Sequence, residues 1–214
     1  MNRLSMSITA VLPLAIGLIS TSLAQVSIGL HGGINVANAT IDPNAFGTVS
    51  SHTGFMIGAV AEVGILGPLS VQVEPTYCQR GAALSSVLTV DIDHHSGTTA
   101  KFNYLEIPLL LKFNLLSEEV KPYIFTGPNL GIRLTSTFDT QVGGKTFSQD
   151  MQDQTEALDF AWDFGAGVAC EVTPLISITI DARYSHGLTD VANSPTLSWH
   201  SRDFKIMAGV LFTP

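Results

Sequence analysis

Three groups of residues in this chain have the types that chemistry would need. Asp91, Asp93, His94 and His95 put two carboxylates and two imidazoles close together, a donor set suited to a divalent cation. Adjacent histidines on a loop rarely converge on a metal without a third, fixed ligand, so a solvated loop holding no metal is expected. Ser185-His186 sets a hydroxyl beside an imidazole, as an esterase built on a barrel would. Successive residues of a strand point to opposite faces, however, so this pair cannot share one pocket as nucleophile and base. The third group is a scatter of charges: Glu62, Glu74, Arg80, Glu106, Lys112, Arg133, Asp163, Glu171, Asp181, Arg183 and Lys205. The sequence contains no glycine-rich phosphate loop, CxxC pair or nucleophile elbow. What the scattered charges can do depends on whether the fold gathers them on one face.

The elements that would gather them are strands. From Val26 onward apolar residues alternate with polar or small ones, and helical periodicity is weak. Eight strands are predicted, over 26–36, 53–65, 69–82, 101–115, 121–138, 158–172, 175–187 and 202–213. The connections after the second, fourth and sixth are tight: Leu66-Gly67-Pro68, Leu116 to Val120, and Thr173-Pro174. Those after the first, third, fifth and seventh are long and polar. Short turns alternating with long loops mark an antiparallel up-and-down transmembrane β-barrel, turns on the periplasmic side and loops outside.

Within the strands the two faces differ sharply. Leu69, Val71, Val73 and Tyr77 alternate with Ser70, Gln72, Glu74 and Cys78, and Ile176, Ile178, Ile180 and Tyr184 with Ser177, Thr179, Asp181 and Ser185. Each strand therefore has one greasy side. A soluble, lipocalin-like barrel would show the same alternation turned inside out. Two features favour lipid on the apolar side. The polar face is rich in Gly, Ala, Ser and Asn, with isolated charges and few Lys, unlike a wall facing water. On the apolar face, Phe55, Tyr77, Trp162, Tyr184 and Phe204 collect toward the long-loop end, and Phe113 and Phe212 toward the other, as aromatic girdles do. All the charges of the third group then share the lumen parity. They could line a proton or ion path or a small catalytic pocket. A polar plug that pairs its charges and fixes strand register is the expectation, because about eight strands leave an interior only wide enough for side chains.

The bulk properties agree with export. Arg3 provides a positive start, Ile8 to Ile19 is apolar, and Ser22-Leu23-Ala24 places small residues where a signal peptidase reads. A signal peptide over residues 1–24, cleaved after Ala24, is expected, followed by one domain over 25–214. Only 13% of the chain is charged while 45% is hydrophobic, and no later stretch is long enough for a spanning helix. The net charge of −8 argues against nucleic acid as a partner. Cys78 and Cys170 fall on non-adjacent strands with opposite parity and are expected to stay unpaired.

The stretches Tyr104-Leu-Glu-Ile-Pro-Leu-Leu-Leu-Lys-Phe113, Pro122-Tyr-Ile-Phe-Thr-Gly-Pro-Asn-Leu-Gly131, Asp163-Phe-Gly-Ala-Gly167 and Asp181-Ala-Arg-Tyr-Ser-His-Gly-Leu188 resemble the outer-membrane barrel domain of PorT-family proteins from Bacteroidota, small barrels of the OmpA and OmpX type. The resemblance spans essentially the whole mature chain. It implies an eight-stranded barrel in the outer membrane, with some members serving a secretion system. It brings no catalytic motif and no cofactor. The expectation is a monomeric, non-enzymatic barrel in contact with outer-membrane lipid, acting through its long loops or periplasmic rim on protein partners the sequence does not name. A membrane-embedded lipid-modifying enzyme and a narrow transport channel are the alternatives.

Overall fold

The structure, a computed structural model, describes residues 25–42, 48–85, 97–115, 120–142, 145–150, 157–189 and 198–214. Ten strands appear among them: β1 (Val26–Asp42), β2 (Thr48–Leu66), β3 (Leu69–Val73), β4 (Thr76–Ser85), β5 (Gly97–Asn114), β6 (Val120–Val142), β7 (Lys145–Asp150), β8 (Leu158–Thr173), β9 (Ile176–Gly187) and β10 (Ser198–Phe212). All pairings are antiparallel. β3 and β4 both lie between β2 and β5, so together they form one wall position. β7 pairs with the far end of β6. The remaining neighbours close a ring of eight: β1, β2, the β3–β4 wall, β5, β6, β8, β9, β10 and back to β1.

Several expected boundaries are corrected. β1 runs six residues past its predicted end at 36, and β10 begins at Ser198 rather than 202, because the two pair as far as Asp42↔Ser198. The predicted strand 69–82 is interrupted at Glu74-Pro75, where proline cannot donate to the ladder. The strand β7 was not predicted at all. Of the connections, the turn at Gly67-Pro68 has Gly67 at φ 54°, a left-handed conformation that a residue without Cβ adopts without strain. Part of the second turn (116–119) and the Asp91–His95 group lie outside the described residues.

The barrel is inside out relative to a soluble protein. Its exposed large apolar residues include Leu30, Ile57, Leu109, Ile178, Ile180 and Val210, whereas Glu74, Glu106, Asp163, Arg183 and Lys205 are buried. Ile178 is 44% exposed and its neighbour Thr179 8%. The expected aromatic residues Phe55, Phe113, Trp162, Tyr184, Phe204 and Phe212 face outward. Tyr77 is half-buried, its ring centroid 5.6 Å from that of Phe55. On β10, Phe212 and Phe204 are eight residues apart; at about 3.4 Å per residue and a tilt near 40° they bracket roughly 20 Å of wall, close to a membrane's apolar thickness. The Trp162 indole donates to Thr126 Oγ1 at 2.7 Å, so its N–H is satisfied within the wall.

The lumen is filled by pairing large side chains with glycines on the next strand. Phe125 lies opposite Gly165 and Tyr123 opposite Gly167. A Cβ at Gly165 would stand 2.1 Å from Phe125 Cζ. That is the structural meaning of the Asp163-Phe-Gly-Ala-Gly167 phrase: its two glycines make room for two rings inside the barrel.

Candidate functional site

The charges that alternation placed on one face come together as a continuous network down the barrel. At its loop end Arg80, on β4, is the centre. Its guanidinium is within ion-pair distance of Glu106 (2.7 Å), Asp159 (2.6 Å) and Asp203 (3.0 Å), from β5, β8 and β10. It also lies 4.8 Å above the Tyr104 ring. Lys205 pairs with the other oxygen of Glu106. Asn129 bridges downward, donating to Glu106 at 3.0 Å and to Asp163 at 3.1 Å. Thr189 closes the top by donating to Asp159 at 2.8 Å.

Arg183 organises the middle tier. It lies 2.8 Å from Glu74, 3.6 Å from Asp163 and 3.8 Å from Asp181, with the Phe125 ring 4.7 Å below its guanidinium carbon. Gln72 donates to Glu74, and Ser185 donates to Asp163 at 2.6 Å. His31 sits 4.0 Å from Glu74 and 2.8 Å from the Thr76 hydroxyl. Toward the turns, Lys112 pairs with Glu62 at 2.8 Å over the Tyr123 ring, and Ser70 donates to Glu62 at 2.6 Å. Desolvated charges are tolerable only when paired in this way. Within the pairing, Arg183 Nε and Nη2, Glu74 Oε2, Asp181 Oδ1 and Asp203 Oδ2 make ion-pair contacts at most and no aligned hydrogen bond among the described residues.

The structure thus places Glu62, Glu74, Arg80, Glu106, Lys112, Asp163, Asp181, Arg183 and Lys205 in one internal network. Arg133 is half-buried on the inner parity opposite Tyr104, one same-face step from Glu106, whose neighbour across the ladder is Gly131. Glu106 itself is held by Arg80 and Lys205. Glu171 is corrected to an exposed position at the turn-side mouth, paired with Lys121. Asp159 and Asp203 were missed, although both share the parity of residues that were found, Asp163 and Lys205. Ser185 is buried on Asp163, and His186 points the other way, its ring 6.3 Å from Tyr184. Cys78 is buried in the lumen against Met56 and Met207, Cys170 is half-buried on β8, and both are free thiols.

Between His31, Gln72, Glu74, Tyr123 and Asp181 lies a cavity of about 10 Å³, the size of one water molecule. Below it the turn-side mouth opens into a vestibule of about 300 Å³ bounded by Ser27, Glu62, Lys112, Asn114, Lys121 and Glu171. No described residues group three or more His, Cys, Asp or Glu side chains around a possible metal position.

A closed eight-stranded ring with an apolar outer wall, two aromatic girdles and a charged core defines a transmembrane barrel. The model of the outer membrane protein beta-barrel domain matches residues 20–193. The chain belongs to that family and is an outer-membrane β-barrel protein. Among solved structures it is similar to Neisserial surface protein A, with 16% identity over 87% of this chain and 97% of that one and a TM-score of 0.48. It is also similar to the outer membrane protein OprG from Pseudomonas aeruginosa (13% identity, 88% and 95% covered, TM-score 0.49) and to the attachment invasion locus protein Ail of Yersinia pestis (14%, 88% and 99%, TM-score 0.46). No curated protein matches the chain as a sequence relative.

Proposed function

We propose that the protein is a monomeric, non-enzymatic outer-membrane barrel that anchors contact surfaces, its long extracellular loops or its turn-side rim, to which other proteins bind. The observation that carries this reading is the internal network. Arg80 engages carboxylates of three other strands, and Arg183 joins Glu74 and Asp163 across the lumen to Asp181 of its own strand, which locks wall to wall and leaves a water-sized cavity at mid-lumen. A pore would need a continuous wet path, and an enzyme acting on lipid would need a nucleophile and base converging on one pocket. Ser185 and His186 diverge. On this reading residues 1–24 are a signal peptide removed after Ala24, and 25–214 form the mature domain. The resemblance to PorT-family barrels extends the proposal to a place beside secretion machinery, with the loops or the turn-side vestibule as the contact.

Crosslinking in native outer membranes followed by purification of the full chain tests the reading. It expects a recurrent protein partner crosslinked through loop or rim positions. Steady single-channel conductance in planar bilayers, or turnover of phospholipid or lipid A by the purified barrel, would overturn it.

A further inference from the structure

Along three neighbouring strands the outward face changes in the same order toward the loops. β8 carries Val168, Ala166, Phe164 and Trp162; β9 carries Ile180, Ala182, Tyr184 and His186; β10 carries Ala208, Ile206, Phe204 and Arg202. The registers align these sequences. Phe164, Tyr184 and Phe204 form one row, and Trp162, His186 and Arg202 form the next row above it. Two residues along a strand is about 7 Å, so the second row stands where an aromatic girdle gives way to head groups.

Arg202 differs from most of the cations among the described residues. Arg80, Lys101, Lys112, Lys121, Arg183 and Lys205 each have a carboxylate within ion-pair distance. Among the described residues no carboxylate stands that close to Arg202, which donates only to the backbone carbonyls of Gly187 and Ser201, at 3.2 and 3.1 Å, from one of its nitrogens. A half-buried guanidinium held by its own sheet keeps its other donors for an outside acceptor, and guanidinium is the side chain best shaped for phosphate. His186, directly across the ladder, adds a second nitrogen donor.

We infer that Arg202 and His186 form an outward-facing docking point for the phosphate group of a phosphorylated glycolipid in the outer leaflet, whose acyl chains lie down the wall over Phe204, Tyr184 and Ile206. The inference rests on the barrel's place in the membrane and is independent of its protein partners. Charge complementarity selects the phosphate, and the unbroken apolar wall below selects a lipid as its source.

The test uses the full-length barrel purified from vesicles of phosphatidylcholine containing bisphosphorylated lipid A, with retained lipid counted by native mass spectrometry. The unsubstituted protein is expected to retain lipid A at least fivefold better than R202Q or H186Q, with R202K intermediate. K101Q, which removes a cation already paired with Asp139, should retain as much as the unsubstituted protein. Heat-modifiable gel migration, unchanged in all variants, shows that each remains folded. Equal retention by R202Q overturns the inference. So does equal retention of dephosphorylated lipid A, a loss in K101Q matching that in R202Q, or full displacement of lipid A by millimolar inorganic phosphate.

Discussion

At the scale of single residues, burial decides which charges matter. Arg80 and Lys121 both form ion pairs, but the Arg80 side chain is 5% exposed and that of Lys121 40%. Removing one partner from a buried, hydrogen-bonded group leaves the others desolvated and unpaired, at a cost of about 3–5 kcal/mol. An exposed pair is worth under about 1 kcal/mol. Arg80→Gln, which takes the guanidinium from Asp203, leaves Asp159 to Thr189 and leaves Glu106 to Lys205 and Asn129, should therefore lower the urea midpoint of unfolding from lipid vesicles substantially. Lys121→Gln, which frees Glu171 at the mouth, should hardly move it. Similar shifts in the two variants would mean that the lumen is wet and the network solvated.

At the scale of the strand, the side facing lipid and the side facing the lumen obey different rules. Ile180 stands on the lipid wall opposite Ala208, midway between the levels of Phe204 and Phe212. Ile180→Arg should cost about 2–4 kcal/mol, and Phe204→Arg, in the loop-side aromatic row, about 1 kcal/mol or less; equilibrium unfolding in thin-bilayer vesicles measures both, and a reversed order would place the membrane wrongly on the wall. On the inner side the limit is volume. A methyl at Gly165 meets both the Phe125 ring, at 2.1 Å, and the Ala182 carbonyl, at 2.7 Å. Gly165→Ala should destabilise by about 1–3 kcal/mol. Phe125→Leu in the same chain should recover part of that, a coupling that a double-mutant cycle reads directly; strict additivity would show that the two do not touch.

Alternation made most of these strands legible in the sequence. It reaches less far at the strand ends. The extensions of β1 to Asp42 and of β10 back to Ser198, and the β6–β7 hairpin beyond Thr137, run into stretches rich in Asn, Thr, Ser, Gln and Asp that read as loop, although the ladder continues through them. Asp159 and Asp203 differ from these: they lie inside the predicted strands 158–172 and 202–213, and alternation alone puts them on the inner face with Asp163 and Lys205. Arg133 lies on the inner face opposite Tyr104, one same-face step from Glu106, as strand parity and the short turn predict; the one-residue bulge beyond it, between Asn103 and Tyr104, leaves no mark in composition. Arg202 is the first residue of the predicted strand 202–213 and lies on its outward parity, outside the lumen charges. Its significance needed the registers of β8, β9 and β10 together.

At the scale of the whole molecule, closure of the ring turns separate ion pairs into a barrier. β1 pairs with both β2 and β10, so no edge remains through which water could reach the lumen sideways, and the network fills the axis. Cys78 reports on this barrier without a foreign probe. Its side chain is fully buried between Met56 and Met207, inside the wall, on a different strand from the half-buried Cys170. Denatured, unreduced protein should show two free thiols, because a disulfide requires Cα atoms within about 7 Å and converging side chains. In Cys170→Ser, the remaining thiol should resist a small, water-soluble thiol reagent in the native barrel and react only as denaturant opens the ring. Its labelling midpoint should coincide with that of unfolding followed by gel migration, as expected when reaction requires the open state. Rapid labelling of Cys78 in the folded barrel would show water moving past the Arg80 and Arg183 tiers, and the lumen would then have to be read as a channel rather than a plug.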